Sequence, residues 1–316
     1  MKVKAEILIG DNRKALKELP DASVQTVVTS PPYWGLRDYG HDEQIGLEQS
    51  PEDFIEQLCV VFDEVWRVLK DDGTIWVNLG DSYAGNNSRA SNNGRAGFGN
   101  EREGVFLKTG VGLKHKDLVG IPWRFAFAMQ ARGWYLRSDI IWHKPNPMPE
   151  SVTDRPTKSH EYIFLMTKSP RYYYDHEAIK EDAIWAEEKR AGKGRLHYDG
   201  KRQGEKGTGQ ENFVSIVDKK NKRSVWQVNV KGYKEAHFAT YPTELIEPCI
   251  LAGSKEGDTV LDPFSGSGTT GEVALKHGRN YVGLELNPDY AAISEKRITD
   301  AVGMFAEFEM RNTKEA

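Results

Sequence analysis

A glycine-rich turn near the end of the chain is the feature that most constrains its fold. Residues 262–270 read Asp-Pro-Phe-Ser-Gly-Ser-Gly-Thr-Thr between an apolar strand and a helix, and Gly266–Gly271 matches G-x-G-x-x-G with Glu285 19 residues after Gly266. Such a turn brings a helix N-terminus close to a ligand, although a purely structural turn and a nicotinamide-dependent oxidoreductase fit the pattern too. Because only about 45 residues follow Gly271, the remaining strands of a doubly wound sheet must come from the N-terminal part.

Composition indicates a soluble globular protein. The chain has 316 residues, of which 38% are hydrophobic and 28% charged, and its formal net charge is −4. This charge argues against a protein that coats nucleic acid indiscriminately. No apolar run approaches the roughly 20 residues of a membrane helix, and Met1–Gly10 lacks a signal-peptide pattern, so we expect a cytoplasmic protein. Cys59 and Cys249 lie in apolar helical patterns and indicate buried thiols, with neither a disulfide nor a metal site.

Hydrophobic periodicity predicts alternating strands and helices. A helix start is clearest at Ser50-Pro51-Glu52-Asp53, which offers an N-cap serine, a proline at the first helical position and an acid at the third. The predicted strands are 3–9, 24–29, 74–79, 135–142, 161–167, 259–261 and 281–286. The predicted helices are 12–19, 50–70, 120–132, 241–252 and 270–277, with a closing helix from about residue 289.

Two polar segments interrupt this pattern. Residues 85–117 contain seven Gly and five Asn, with six Lys or Arg against three acids, and predict a mobile basic loop or a solvated linker. Residues 189–223 contain eleven Lys or Arg against four acids, which favours a phosphate-binding insertion over a merely solvated surface. We therefore expect a first half at 1–174, an insertion at 175–225 and a second half at 226–316.

The expected order of strands in the sheet brings two distant sequence strings together at one site. In a doubly wound sheet, the strand before the glycine turn is central and the chain reverses direction beside it. If strand 259–261 is central and 281–286 is its neighbour on one side, 24–29 can lie on the other. The string Thr29-Ser30-Pro31-Pro32-Tyr33-Trp34, which follows strand 24–29, would then face the glycine turn across the switch point, where open α/β sheets bind ligands.

The two strings resemble those of the DNA amino-methyltransferases that depend on S-adenosylmethionine, in the permuted order called the beta class. Further similarities are the strings at 10–11, 141–146, 160–161, 237–242 and 283–288. The resemblance spans most of the chain. It implies an α/β fold with a circularly permuted, Rossmann-like methyltransferase sheet, mostly parallel with an antiparallel edge strand, plus a target-recognition insertion. The catalytic half would then be 1–174 and the half that binds S-adenosylmethionine 226–316.

The chemistry of the first string agrees with this resemblance. A nucleobase amine is a poor nucleophile because its lone pair is delocalised into the ring, and acceptors directed at its N–H bonds return that pair to nitrogen. Ser30 Oγ and the Pro31 carbonyl can supply such acceptors, since Pro31 and Pro32 fix the backbone. Tyr33 would stack on a base flipped out of the duplex. Methyl transfer would then be direct and would need no cysteine nucleophile.

The resemblance also implies cofactor-binding positions. Glu285 would accept hydrogen bonds from the ribose hydroxyls, and Asp11 would lie by the adenine, although a carboxylate after a strand is often only a helix N-cap. Trp34, Trp142 and Trp226 fit a core or a pocket wall better than base stacking. The remaining positions, expected around the methionine part, are His237, Thr240, Pro242, Asp262, Phe264, Gly266, Gly268 and Thr269.

Double-stranded DNA is the expected partner, and a homodimer and a cognate restriction endonuclease are candidates. Serine before Pro-Pro-Tyr usually accompanies cytosine N4 methylation in the resembling family, whereas Asp or Asn accompanies adenine N6, so we favour cytosine. An inactive DNA-binding protein and a methyltransferase acting on RNA or on a protein amide are rival hypotheses. The basic side chains expected to contact phosphates are Lys189, Arg190, Lys193, Arg195, Lys201, Arg202, Lys219, Lys220, Lys222 and Arg223.

Overall fold

A computed structural model describes residues 3–36, 41, 43–84, 112–183, 219–230, 241–303 and 306–314. The chain forms two compact units, residues 1–175 with 224–316, and residues 176–223. In the smaller unit, β6 (Glu181–Asp182) pairs antiparallel with β7 (Lys219–Lys220). The predicted loop at 85–117 falls outside the described residues except for its last six positions, 112–117.

The larger unit alternates strands and helices along the sequence. Its strands are β1 (Val3–Ile9), β2 (Val24–Thr29), β3 (Leu69–Leu79), β4 (Tyr135–His143), β5 (His160–Thr167), β8 (Val225–Gln227), β9 (Thr259–Asp262), β10 (Asn280–Glu285) and β11 (Ala306–Asn312). Its helices are α1 (Asn12–Ala15, continued by a 3-10 turn at Leu16–Glu18), α2 (Pro51–Val68), α3 (Ile121–Ala131), α4 (Thr243–Gly253), α5 (Thr269–Lys276) and α6 (Pro288–Val302).

The strands of the larger unit form one sheet in the order β11-β1-β10-β9-β2-β3-β5-β4-β8. Pairing is parallel from β11 to β3, β5 runs antiparallel to both β3 and β4, and β4 pairs parallel with β8. The prediction that β9 lies between β10 and β2 is confirmed. The mostly parallel α/β sheet is confirmed as well, but the antiparallel strand is not the last in the sheet, because β4 and β8 extend the sheet beyond it.

Burial explains why the central strands and α2 were recognisable. All six residues of β2 are buried, as expected for a parallel strand covered on both faces, and its valines and threonines are β-branched residues that favour strands. In α2 the Ser50 side chain accepts from the Asp53 backbone N–H, and Pro51 occupies the first turn. One stripe of this helix then packs into the core through Phe54, Leu58, Val61, Val65 and other apolar residues.

Several elements differ from the sequence prediction. The chain does not close with α6, because β11 follows it and pairs with β1 at the edge of the sheet. The three-residue strand β8 was also not predicted. Gly73, interpreted as the end of an element, lies inside β3, where a Cβ would approach Leu69 Cγ at 2.7 Å and the Gln25 carbonyl oxygen at 2.9 Å. This glycine therefore permits close packing within the sheet.

The core agrees with the expectations drawn from composition. Cys59 and Cys249 are both buried and free, which confirms the prediction of buried thiols. Trp34, Trp142 and Trp226 are also buried. Across the described part of the chain, no helix has the length and apolar character needed to cross a membrane.

Candidate active site

A cavity of about 350 Å³ lies in the larger unit at the carboxyl ends of the parallel strands. Residues following β1, β2, β9 and β10 line it, because parallel strands that run in one direction end at the same edge of the sheet. Both strings singled out in the sequence contribute to this one cavity. Ligand sites of α/β sheets occur at this edge.

The first string lies along one side of the cavity. Ser30, Pro31, Pro32 and Tyr33 all line it, directly after Thr29 ends β2. Ser30 and Tyr33 are half-buried, and Pro31 is buried. Among the residues that the structure describes, the Ser30 hydroxyl has only a long contact of 3.5 Å to Asn78 Oδ1, close to the limit of a hydrogen bond. Its hydroxyl is therefore available to a ligand in the cavity.

The glycine turn forms the opposite side. Gly266 lines the cavity with a backbone φ of +52°, and the nearest atom to a Cβ there would be the Phe264 carbonyl oxygen at 3.9 Å. Gly268 has a φ of +77° but does not line the cavity, and a Cβ there would approach Ser294 Cβ to 2.9 Å. The two glycines therefore have different roles, since Gly266 faces the cavity and Gly268 permits the turn to pack against α6.

Asp262 anchors the glycine turn through hydrogen bonds of its carboxylate. The side chain is 1% exposed and does not line the cavity. Its Oδ1 accepts hydrogen bonds from Thr29 Oγ1 at 2.6 Å and from the Phe264 backbone N–H at 3.0 Å, and its Oδ2 accepts from Tyr241 at 3.0 Å and Thr270 at 2.7 Å. Burial raises the pKa of Asp262, and these donors oppose the rise.

Glu285 ends β10 and presents its carboxylate to the cavity. Its Oε2 accepts from the Gly266 backbone N–H at 2.7 Å, and its Oε1 accepts from the Asn287 N–H at 2.9 Å. Burial raises the pKa of Glu285 from an ordinary 4.5 to about 7, although both backbone donors favour the anion. The Glu285 carboxylate therefore accepts hydrogen bonds from two backbone N–H groups and still faces the cavity, where it can accept from a ligand.

The other expected cofactor positions divide into three groups. Phe264 and Thr269 line the cavity, whereas the buried Pro242 does not. Asp11 lines it and also caps α1 by accepting from the Arg13 backbone N–H at 2.9 Å, so the N-cap role is observed and the contact with adenine stays a prediction. His237 and Thr240 lie outside the described residues.

Most of the expected phosphate-contacting side chains also lie outside the described residues. These are Lys189, Arg190, Lys193, Arg195, Lys201 and Arg202. Within the described part, Lys219 and Lys220 form β7, and Lys222 and Arg223 follow it. Lys219 is exposed and Lys220 is half-buried. Their phosphate contacts stay a prediction.

The sequence reasoning gave no role to a polar cluster beside Tyr33. Tyr33 donates from its hydroxyl to Glu161 Oε2 at 2.6 Å, Lys144 pairs with Glu161 Oε1, and Asn78 Nδ2 donates to Glu161 Oε2 at 3.2 Å. All four side chains line the cavity, as does the buried Trp142. Lys144 and Glu161 lie in the strings 141–146 and 160–161, which resemble the family. This resemblance is the feature of the sequence that could have pointed to the cluster. No group of three or more potential metal-ligating side chains occurs among the residues the structure describes.

Comparisons with known proteins identify the family. The DNA methylase family of N6 and N4 methyltransferases matches residues 24–296. The chain is 52% identical over 299 residues to the type II methyltransferase M.Cfr9I of Citrobacter freundii, covering 93% of this chain and 87% of that protein. It is 49% identical over 291 residues to M.XycI of Xanthomonas campestris pv. cyanopsidis, covering 92% and 86%.

Solved structures agree with this family. The PvuII DNA methyltransferase, described as cytosine-N4-specific, matches with a TM-score of 0.63 at 20% identity over 98% of this chain and 96% of its own. A DNA modification methylase of Thermus thermophilus, complexed with S-adenosyl-L-methionine, matches with a TM-score of 0.59 at 27% identity over 98% and 100%. This chain belongs to the DNA methylase family of S-adenosylmethionine-dependent N6 and N4 methyltransferases.

Proposed function

We propose that this DNA methyltransferase modifies cytosine at N4, and that Ser30, Pro31, Pro32 and Tyr33 form the pocket for the flipped base. The observation that carries this proposal is the position of Ser30. Its hydroxyl lines the cavity with only a 3.5 Å contact to Asn78 Oδ1, opposite the glycine turn. A target amine held there would meet acceptors from one wall while the methyl donor occupied the other.

The acceptors act on the lone pair of the target amine. Hydrogen bonds from its two N–H groups to Ser30 Oγ and the Pro31 carbonyl favour a pyramidal nitrogen with its lone pair localised. Fixed φ angles at the two prolines restrict the backbone, so little reorganisation is needed when the base arrives. The Tyr33 ring would supply stacking worth about 1–3 kcal/mol. The chain's contribution is therefore orientation and polarisation of the amine.

The cavity fits S-adenosylmethionine on its glycine-turn side. S-adenosylmethionine supplies an electrophilic methyl group on a sulfonium. Glu285 would accept from the ribose hydroxyls, Asp11 would lie by the adenine, and Phe264, Gly266 and Thr269 would line the remainder. Gly266 leaves open space at its Cβ position, and Glu285 keeps a cavity-facing carboxylate. Asp262 and Gly268 would support this wall from behind.

Adenine N6 is the alternative substrate, because its exocyclic amine asks for the same two acceptors. Serine at position 30, where the adenine-specific members of the family usually carry Asp or Asn, favours cytosine. This preference is a correlation within the family, since a serine hydroxyl can accept hydrogen bonds from either amine. The pocket wall formed by Asn78, Glu161 and Lys144 is common to both alternatives.

The remaining parts of the proposal concern partners and location. Lys189–Arg223 would supply phosphate contacts on double-stranded DNA. A homodimer and a cognate restriction endonuclease are further proposed partners, the latter because the relatives are named type II methyltransferases. We place the protein in the cytoplasm, where a bacterial chromosome would be accessible to it.

Nucleoside analysis tests this function. The purified protein is incubated with methyl-labelled S-adenosylmethionine and either mixed-sequence duplex DNA or RNA, and the digested nucleosides are analysed by mass spectrometry. Label in 4-methylcytosine is the expected result. Label in 6-methyladenine would overturn the cytosine assignment and keep the amine chemistry. Label in RNA alone, or none in either nucleic acid, would contradict the proposal.

A further inference from the structure

Tyr33 is fixed at both ends of its side chain. Its hydroxyl donates to Glu161 Oε2 at 2.6 Å, and its ring lies against the backbone of Gly80, where a Cβ would come within 2.5 Å of Tyr33 Cε2. A glycine at position 80 therefore permits this ring position, and the Glu161 carboxylate sets the direction of the hydroxyl. A hydrogen bond to an ionised acceptor is stronger than one between neutral groups.

The same carboxylate orients Asn78. The Asn78 amide nitrogen donates to Glu161 Oε2 at 3.2 Å and to the Tyr162 carbonyl oxygen at 3.1 Å. Because both amide N–H groups are used in this way, Oδ1 faces Ser30 Oγ and the Tyr33 hydroxyl, each at 3.5 Å. Asn78 thus presents an acceptor beside the residue proposed to polarise the target amine.

Lys144 holds Glu161 in turn. The two side chains form an ion pair and are 18% and 13% exposed. Lys144 Nζ also lies 4.1 Å from the centre of the Trp142 ring, a cation–π contact that helps to hold the amine in place. The pair is shielded from solvent, so its geometry is better defined than that of a surface ion pair.

We propose that Glu161, held by Lys144, is a positioning residue that fixes the Tyr33 hydroxyl and the Asn78 amide and so shapes the base pocket before DNA binds. This inference rests on the proposed function, which assigns Ser30 to Tyr33 to the target base. One carboxylate oxygen serves Tyr33 and Asn78, and the other serves Lys144. Glu161 acts through Tyr33 and Asn78 and transfers no group itself.

Glutamine at position 161 should disrupt this arrangement, in which one carboxylate oxygen serves Tyr33 and Asn78 and the other serves Lys144. An amide has a single acceptor oxygen, which cannot serve Lys144 and the Tyr33–Asn78 side together. The test therefore compares Glu161→Gln, Tyr33→Phe and the double variant in single-turnover methyl transfer to DNA at saturating S-adenosylmethionine. Glu247→Gln is the matched control, since Glu247 contacts His277 at 2.7 Å and is not a cavity-lining residue.

Each single variant should slow transfer about tenfold, and the double variant should also lose about tenfold instead of the roughly hundredfold expected for independent effects. Affinity for S-adenosylmethionine should stay unchanged, and the control should transfer at the parental rate. A purely structural role would lower Tm without this coupling in the rate.

Three results would overturn the positioning role. These are parental-rate transfer by Glu161→Gln, independent effects of the two substitutions, and a loss of rate that follows Tm alone. Failure of the proposed function looks different. It would appear as no methyl transfer to DNA by the parental protein, whereas the positioning role fails with parental transfer intact.

Discussion

Thr29 donates a hydrogen bond from Oγ1 to Asp262 Oδ1 at 2.6 Å and so joins residues 233 positions apart. Thr29 ends β2, directly before Ser30, and Asp262 ends β9, directly before the glycine turn. The two strings of the candidate active site are therefore joined by a buried hydrogen bond. Tyr241 and Thr270 complete the set of hydroxyl donors to this carboxylate.

Asp262→Ala should destabilise the protein. The substitution leaves the hydroxyls of Thr29, Tyr241 and Thr270 without their shared acceptor, and unsatisfied buried groups make unfolding easier by on the order of 3 kcal/mol in total. Urea denaturation measures the change. Asp21→Ala is the control, because the Asp21 side chain is 78% exposed beside Arg67 and should cost less than about 1 kcal/mol. Equal losses for the two variants would contradict the buried network.

Alanine at the two glycines of the turn should have different effects. Gly268→Ala forces a Cβ toward Ser294 at a φ of +77°, so its main effect should be a loss of unfolding free energy of about 2 kcal/mol or more. Gly266→Ala also places a side chain at a positive φ, +52°, which costs roughly 1 kcal/mol, but its Cβ meets no atom closer than 3.9 Å. Because Gly266 lines the cavity, this substitution should mainly weaken affinity for S-adenosylmethionine. Denaturation and isothermal titration separate these effects. The reverse ranking in both measurements would refute the division of roles.

Affinity for S-adenosylmethionine should rise with pH through about 7. The pKa of Glu285 is raised to about 7 by burial, and ribose hydroxyls donate stronger hydrogen bonds to its anion than to the protonated acid, so binding should release a proton. Titration between pH 6 and 8, in buffers of different ionisation enthalpy, measures both quantities. Glu285→Gln is the control and should lose this component of the pH dependence. An unchanged pH profile in that variant would contradict the assignment.

The same pKa has a consequence for folding stability. The folded pKa of about 7 exceeds the ordinary value of 4.5, so the folded state binds the proton more tightly. The contribution of Glu285 to stability is therefore fully present below pH 4.5 and is lost as pH rises through about 7. In Glu285→Gln, denaturation between pH 5 and 8 should show a smaller decline with pH than in the parent. A decline equal to the parent's would show that other groups cause it.

Cysteine substitution should leave methyl transfer intact. Burial raises the pKa of Cys59 to about 11, and Cys249 is also buried. Neither residue lines the cavity, and direct transfer to an amine needs no thiolate nucleophile. The Cys59→Ala/Cys249→Ala variant should therefore methylate DNA at a rate close to the parent's, measured per folded molecule. A rate lost with normal Tm and cofactor affinity would implicate a thiol in the chemistry.

Much of the fold could be predicted because its strands are buried. β1 and β2 match their predicted bounds, and β9 and β10 match within a residue, since each carries buried apolar residues and is bounded by turn residues. β11, with the sequence Ala-Glu-Phe-Glu-Met-Arg-Asn, was missed because an edge strand carries many exposed polar side chains. β8 has only three residues, too few for a periodic signal.

The candidate site, like the fold, has one part that could be predicted from the sequence and one part that could not. The meeting of Ser30 with the glycine turn could be predicted because carboxyl ends of parallel strands share one edge. The contact between Tyr33 and Glu161 could not be predicted. It forms because β5 runs antiparallel to β3 and so brings its first residues to that edge of the sheet. Which strand lies beside β3 depends on long-range pairing. The local pattern around His160-Glu161 carries no such information.

Single-turnover transfer by Ser30→Ala is the most direct test of the central claim that the two strings form one amine-polarising site. With S-adenosylmethionine prebound, we expect this variant to keep its cofactor affinity and Tm but to transfer the methyl group roughly a hundredfold more slowly. Transfer at the parental rate, or a loss explained by weakened cofactor binding, would contradict it.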